Sequence, residues 1–149
     1  MNFKRIFFLG LFIFIISWIF SMVTCGWLFS WIYKLPPHIW KSEEAMKHFW
    51  NLLSVVFFGV LNGWIFVFVY AILYKGLPLG GIRKGLIYGS LVWLVGAFSG
   101  IPSMGFYMTI AKTVLIYWTI QSLVLNWILG IIVGVWYHPH EKIDDEKGA

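Results

Sequence analysis

Charged side chains in this chain are confined to the gaps between long apolar runs. Residues 6–33, 52–74, 85–111 and 113–137 contain no Asp, Glu, Lys, Arg or His. About 20 consecutive apolar residues are enough to cross the hydrocarbon core of a bilayer as a helix. Inside lipid only a helix or a closed barrel satisfies its own backbone polar groups. The pattern therefore predicts an all-α integral membrane four-helix bundle, with spans near residues 6–33, 52–74, 82–100 and 106–137. These and their connections use nearly all of the sequence, so one transmembrane domain followed by an acidic tail at 138–149 is the expected organisation.

Two interruptions refine the pattern. The connection at residues 34–51 opens with Pro36-Pro37, which stops the preceding helix because proline donates no backbone hydrogen bond. Ser42 followed by Glu43 and Glu44 reads as an N-cap with acids in the first turn. Trp40, Met46, Phe49 and Trp50 are suited to the headgroup layer, so a short interfacial helix is expected between spans one and two. The third run is broken by Gly100-Ile101-Pro102-Ser103-Met104-Gly105. A residue before proline avoids helical geometry, which predicts a tight hairpin there. The fourth helix would then be roughly 48 Å long at 1.5 Å per residue, with tilt or protrusion absorbing the excess.

Composition agrees with this picture. Of 149 residues, 60% are hydrophobic and 21% aromatic, well outside the range of soluble domains. The net charge of +5 is a flanking feature of the spans, so no nucleic-acid partner is expected. Lys4, Arg5, Lys75, Arg83, Lys84, Lys142 and Lys147 fall on one side, and Lys34, Lys41, Lys47 and Lys112 on the other. That excess places both termini in the cytoplasm of a cytoplasmic-membrane protein. Lys4 and Arg5 ahead of an apolar stretch ending at Cys25 imitate a cleavable signal. Thr24 is a poor residue before a lipoprotein cysteine, however, and the apolar run continues beyond it, so a retained first helix is expected.

Small residues form stripes on these helices. Gly85, Gly89, Gly96 and Gly100 lie within roughly 60° of one another at about 100° per residue, a single glycine groove on helix three. Helix two carries Gly59 and Gly63, and helix four carries Gly130 and Gly134. Such stripes let membrane helices approach closely. Polar residues track them: Ser17 and Ser21 on helix one, Asn62 on helix two, and Thr119, Ser122 and Asn126 on helix four. Packing and interhelical hydrogen bonding is the first reading of these stripes; a polar track for a ligand is the alternative.

The spans hold no carboxylate or histidine, so neither acid–base catalysis nor an activated serine is expected, and no catalytic, cofactor or metal residue is assigned. His138, His140 and Glu141 resemble a metal cluster only superficially, since Pro139 imposes an extended segment and no further ligand is near in sequence. The glycine-rich loop before helix three lacks the Gly-Lys-Ser/Thr of a nucleotide site. Its neighbours Lys75, Arg83 and Lys84 are candidates for contact with anionic lipid headgroups. The motifs Tyr74-Lys75-Gly76-Leu77-Pro78, Arg83-Lys84-Gly85-Leu86-Ile87-Tyr88-Gly89 and Leu91-Val92-Trp93-Leu94 resemble a group of small prokaryotic four-helix membrane proteins with no assigned activity. That resemblance implies a fold and no functional residue. The expected role is a non-catalytic packing or accessory protein, working through helix contacts with itself or a membrane partner. The alternatives are a small permease or channel subunit with a polar path along helix four and, last, a lipid-modifying enzyme.

Overall fold

A computed structural model describes residues 3–37 and 40–137, and all regular elements among them are helical. Helix α1 covers Phe3–Ser21 and continues as a π-helical stretch, Met22–Leu28, and a short 3₁₀ turn, Ser30–Lys34. Helix α2 (Glu43–Lys47) is a single turn, α3 covers Phe49–Leu73, α4 Gly81–Val95, α5 Ala97–Tyr107 and α6 Lys112–Trp136. Four spans are long and apolar enough to cross a membrane: Phe3–Leu28, Phe49–Leu73, Gly81–Tyr107 and Lys112–Trp136. Four such helices mark a multi-pass membrane protein. The acidic tail, with His138, His140 and Glu141, lies outside the described residues.

Helix α2 begins as its sequence requires, with Ser42 Oγ accepting from the Ala45 amide at 3.3 Å. The third span differs from expectation. No hairpin forms at Gly100–Gly105; α5 runs through Pro102, and the chain turns at Met108–Ala111 instead. The fourth helix accordingly starts at Lys112 and is of ordinary length. Lipid offers no water to an opened backbone, so helix is favoured there even at a proline. Two hydroxyls bond carbonyls along this stretch, Ser99 Oγ donating to those of Val95 and Gly96 and Ser103 Oγ to that of Gly100. The regular helix is interrupted upstream at Gly96, where φ is −92° and ψ −76°.

The spans associate as two pairs. In the α4/α6 pair the backbones touch: a Cβ on Gly85 would overlap the Gly130 carbonyl, and one on Gly89 the carbonyl of Asn126. One on Gly134 would lie 2.9 Å from the Gly85 Cα. Indole groups reinforce the pair, Trp93 Nε1 donating to the Thr119 carbonyl and Trp127 Nε1 to Ser90 Oγ, both at 2.9 Å. In the α1/α3 pair, Gly63 lies against the Gly10 carbonyl, Gly59 faces the Phe14 ring and Gly10 faces Trp64. Trp64 Nε1 closes this pair by donating to the Phe7 carbonyl at 3.2 Å.

The pairs meet along a looser seam. On one side α1 touches α6; on the other, α3 and α4 make almost no backbone approach. They are joined there by Tyr88, whose hydroxyl donates to the Phe66 carbonyl at 2.6 Å. Around it Tyr70, Tyr74, Tyr88 and Tyr137 pack edge to face, with centroids 5.0 to 5.8 Å apart, a favourable geometry for aromatic quadrupoles. Val67, Tyr70, Tyr88, Val133 and Tyr137 have at most 1% of their surface exposed, so this end of the seam is closed.

Candidate functional site

Beyond the tyrosine layer the seam opens into a cavity of about 450 Å³ that all four spans line. Helix α1 contributes Ser17 and Ser21, α3 contributes Asn62, and α6 contributes Asn126; Gly96, at the bend, forms part of the α4 wall. Close packing at Gly63 and Gly10 brings α3 against α1, while the third span breaks its regular helix at Gly96, on the cavity wall. A cavity is the geometric consequence. At its far side α3 diverges from the bundle, and residues 52–58 are all exposed.

Both asparagines lie within about two residues of the midpoint of their helices, so they sit near mid-bilayer depth. Asn126 Nδ2 donates to the Ser122 carbonyl at 2.8 Å, and Ser17 Oγ donates to the Ile13 carbonyl at 2.8 Å. Asn62 and Ser21 have no hydrogen-bond partner among the described residues, and the expected bonds between Asn62, Asn126, Ser17 and Ser21 are not formed. An unpaired amide in an apolar medium costs several kcal/mol, about 1–3 by mutational measures. The cavity therefore presents unsatisfied donors and acceptors with no charge beside them. Such a lining can hold a neutral hydrogen-bonding molecule and has no group to transfer a proton. On the lipid side an apolar groove between α3 and α4, about 380 Å³ in volume, shares Asn62, Phe66, Val92 and Gly96 with the cavity.

The remaining residues singled out in the sequence fall elsewhere. Gly59, Gly63, Gly85, Gly89, Gly130 and Gly134 sit at helix contacts inside the chain. Gly96 and Gly100 do not extend that groove: a Cβ on Gly100 would meet nothing within 4 Å, and one on Gly96 would meet only the Val92 carbonyl. The polar stripe of α6 is not a continuous path. Thr119 Oγ1 donates to the Leu115 carbonyl and Ser122 Oγ to that of Thr119, and Thr119 borders a separate groove beside Pro102 and Phe106. Lys84 is buried, with Nζ 2.9 Å from the Tyr74 carbonyl and 4.0 Å above the Tyr74 ring centroid. Its amine is engaged inside the chain, whereas Lys75 and Arg83 are exposed.

One polar cluster escaped sequence reasoning. Gln121 Nε2 donates to Thr24 Oγ1 at 2.7 Å and lies 3.1 Å from Cys25 Sγ, which is 3.6 Å from the Tyr117 hydroxyl. Next to it Trp118 Nε1 donates to the Tyr33 hydroxyl at 2.8 Å. The cluster ties α6 to the π-helical end of the first span, where Thr24 Oγ1 also donates to the Phe20 carbonyl and the Phe29 amide reaches back to the Thr24 carbonyl. The available signal was Gln121 itself, an amide in a charge-free run as conspicuous as Asn126; the glycine stripes drew attention to the opposite face. Among the described residues no group of His, Cys, Asp and Glu is placed to hold a metal ion. No known protein family, curated protein or solved structure matches the chain, so the resemblance noted above rests on its motifs alone.

Proposed function

We propose that this chain is a non-catalytic multi-pass protein of the cytoplasmic membrane that holds a small neutral hydrogen-bonding molecule in the four-helix cavity, as a small permease or its binding subunit. The observation that carries this reading is Asn62, an unpartnered amide near mid-span that opens on a cavity shared with Ser17, Ser21 and Asn126. Uncharged partners of this kind favour polyols, amides or similar neutral solutes over ions, because a desolvated ion needs a counter-charge. The bend at Gly96 supports the same reading, since transporters place substrate sites where a spanning helix is interrupted. In this reading both termini face the cytoplasm, α2 rests at the outer interface, and the tyrosine layer is the closed cytoplasmic side.

The test is stopped-flow light scattering of proteoliposomes exposed to gradients of glycerol and of urea. Wild-type protein should raise permeability to at least one of them above protein-free liposomes, and Asn62→Leu or Asn126→Leu should return it to background. Background permeability for wild-type protein across a panel of neutral solutes removes the permease reading.

A second reading, an accessory protein acting on itself or on a membrane partner, keeps one observation in its favour. Helix α5 buries none of its residues, and Phe106 and Tyr107 at its end are 86% and 88% exposed. A partner could seat there, because the glycines of α3, α4 and α6 that meet a neighbouring helix are occupied within the chain, whereas Gly100 on α5 meets nothing.

A further inference from the structure

A second site lies on the outside of the bundle, where α1 begins and α6 ends. Lys4, Arg5, Phe8, Leu9, Phe12 and Trp136 line a trough of about 470 Å³. Lys4, Phe8 and Phe12 follow one another at helical i, i+4 spacing, so the trough runs about 12 Å along the span axis at 1.5 Å per residue. Phe12 and Trp136 form its deep end, their rings 4.7 Å apart and tilted by 32°. Lys4 and Arg5 form its mouth, both exposed at the end of the span. Lys4 has no hydrogen-bond or ionic partner among the described residues.

This order of chemistry, cationic at the membrane boundary and apolar for about two turns inward, matches one class of molecule. We propose that the trough binds an anionic phospholipid, its phosphate held by Lys4 with the charge of Arg5 beside it, and one acyl chain lying against Phe8, Leu9 and Phe12 with Trp136 at the floor. Arg5 also has a contact inside the chain. Charge complementarity selects the headgroup, since each basic side chain near the surface attracts anionic lipid. The depth of the apolar part selects a lipid over a soluble anion or an acidic segment of chain, neither of which fills a hydrocarbon-depth groove. The site is separate from Lys75, Arg83 and Lys84 and independent of the central cavity.

Native mass spectrometry of the full chain in detergent, titrated with dioleoyl phosphatidylglycerol or dioleoyl phosphatidylcholine, tests it. Wild-type protein should retain phosphatidylglycerol preferentially. Lys4→Gln and Arg5→Gln, each leaving one cation in place, should weaken that retention about fivefold, while Lys41→Gln should not change it. Glycerol 3-phosphate, the same headgroup chemistry without chains, should fail to displace the lipid. Equal retention of the two lipids overturns the proposal, as does an equal loss in Lys41→Gln, which would make the effect one of net charge. Displacement by glycerol 3-phosphate overturns it in favour of a phosphate site. Retention seen only in a chain lacking residues 141–149 overturns it as well, because the acidic tail would then be the occupant.

Discussion

The two helix pairs are both built on glycine, yet they are built differently. In α4/α6 four glycines meet backbone of the opposite helix: Gly85 and Gly130 face each other, Gly89 meets Asn126, and Gly134 meets Gly81 and Gly85. In α1/α3 Gly63 meets the Gly10 backbone and Gly10 meets both the ring and the Cα of Trp64, while Gly59 meets only the Phe14 ring. A carbonyl cannot move without disturbing its own helix; a phenylalanine ring can rotate. The first pair is a rigid weld and the second is adjustable at Gly59, and Phe14 and Gly59 border the cavity together with Gly63. Close packing supplies the association energy that hydrophobicity cannot provide within lipid. Where it is relaxed, room for a ligand appears.

Substitutions should expose this difference, beginning with the weld. Gly85→Leu or Gly130→Leu should abolish the folded, monodisperse protein in detergent, and Gly85→Ala should cost about 1–3 kcal/mol in reversible unfolding, as overpacking does. Gly63→Ala should fall in the same range, because the Gly10 carbonyl blocks it. Gly59→Ala should cost less than about 1 kcal/mol, and an equal loss at positions 59 and 85 would erase the distinction between the pairs. Tyr88→Phe removes the hydroxyl that bridges α3 and α4, with an expected loss of about 1 kcal/mol. Gln121→Leu unties the π-helical end of the first span; two hydrogen bonds in a membrane setting are worth about 0.6 kcal/mol each. The smallest change, and one of opposite sign, is expected at Gly100→Ala. That position meets no neighbour, so the gain in helix propensity should appear as up to about 1 kcal/mol of added stability.

These contrasts also show what a sequence discloses about a membrane bundle. The absence of charge located the four spans because solvation by lipid acts on every residue of a run. The register of Gly85, Gly89, Gly130 and Gly134 was legible for the same reason, since close approach demands the same small residue turn after turn. The limits of the stripe were not legible: Gly96 and Gly100 carry the same spacing, but past the break at Gly96 neither glycine meets α6, although α5 still packs on it. Pro102 misled in the opposite direction. Its local preference for a break was outweighed by the cost of opened backbone in hydrocarbon. The actual turn, Met108-Thr109-Ile110-Ala111, contains neither glycine nor proline and so carried no signal. Asn62 and Asn126 were expected to face inward, but Asn62 is exposed and opens on both the cavity and the lipid-side groove. Whether the two would bond to each other or face a space depended on the seam between the pairs. That seam is a property of tertiary packing, and helical periodicity within single spans does not encode it.

The central claim is that an accessible cavity, carrying Ser17, Ser21, Asn62 and Asn126 on an otherwise largely apolar wall, lies between two glycine-packed pairs inside the membrane. It is tested most directly by thiol modification in proteoliposomes, on a Cys25→Ser background, with a small hydroxyl-bearing methanethiosulfonate. Asn62→Cys and Asn126→Cys should react readily, while Ile120→Cys, on the exposed face of α6, should stay inert. If all three positions are equally unreactive, the asparagines lie in lipid or in a sealed core, and the account is wrong.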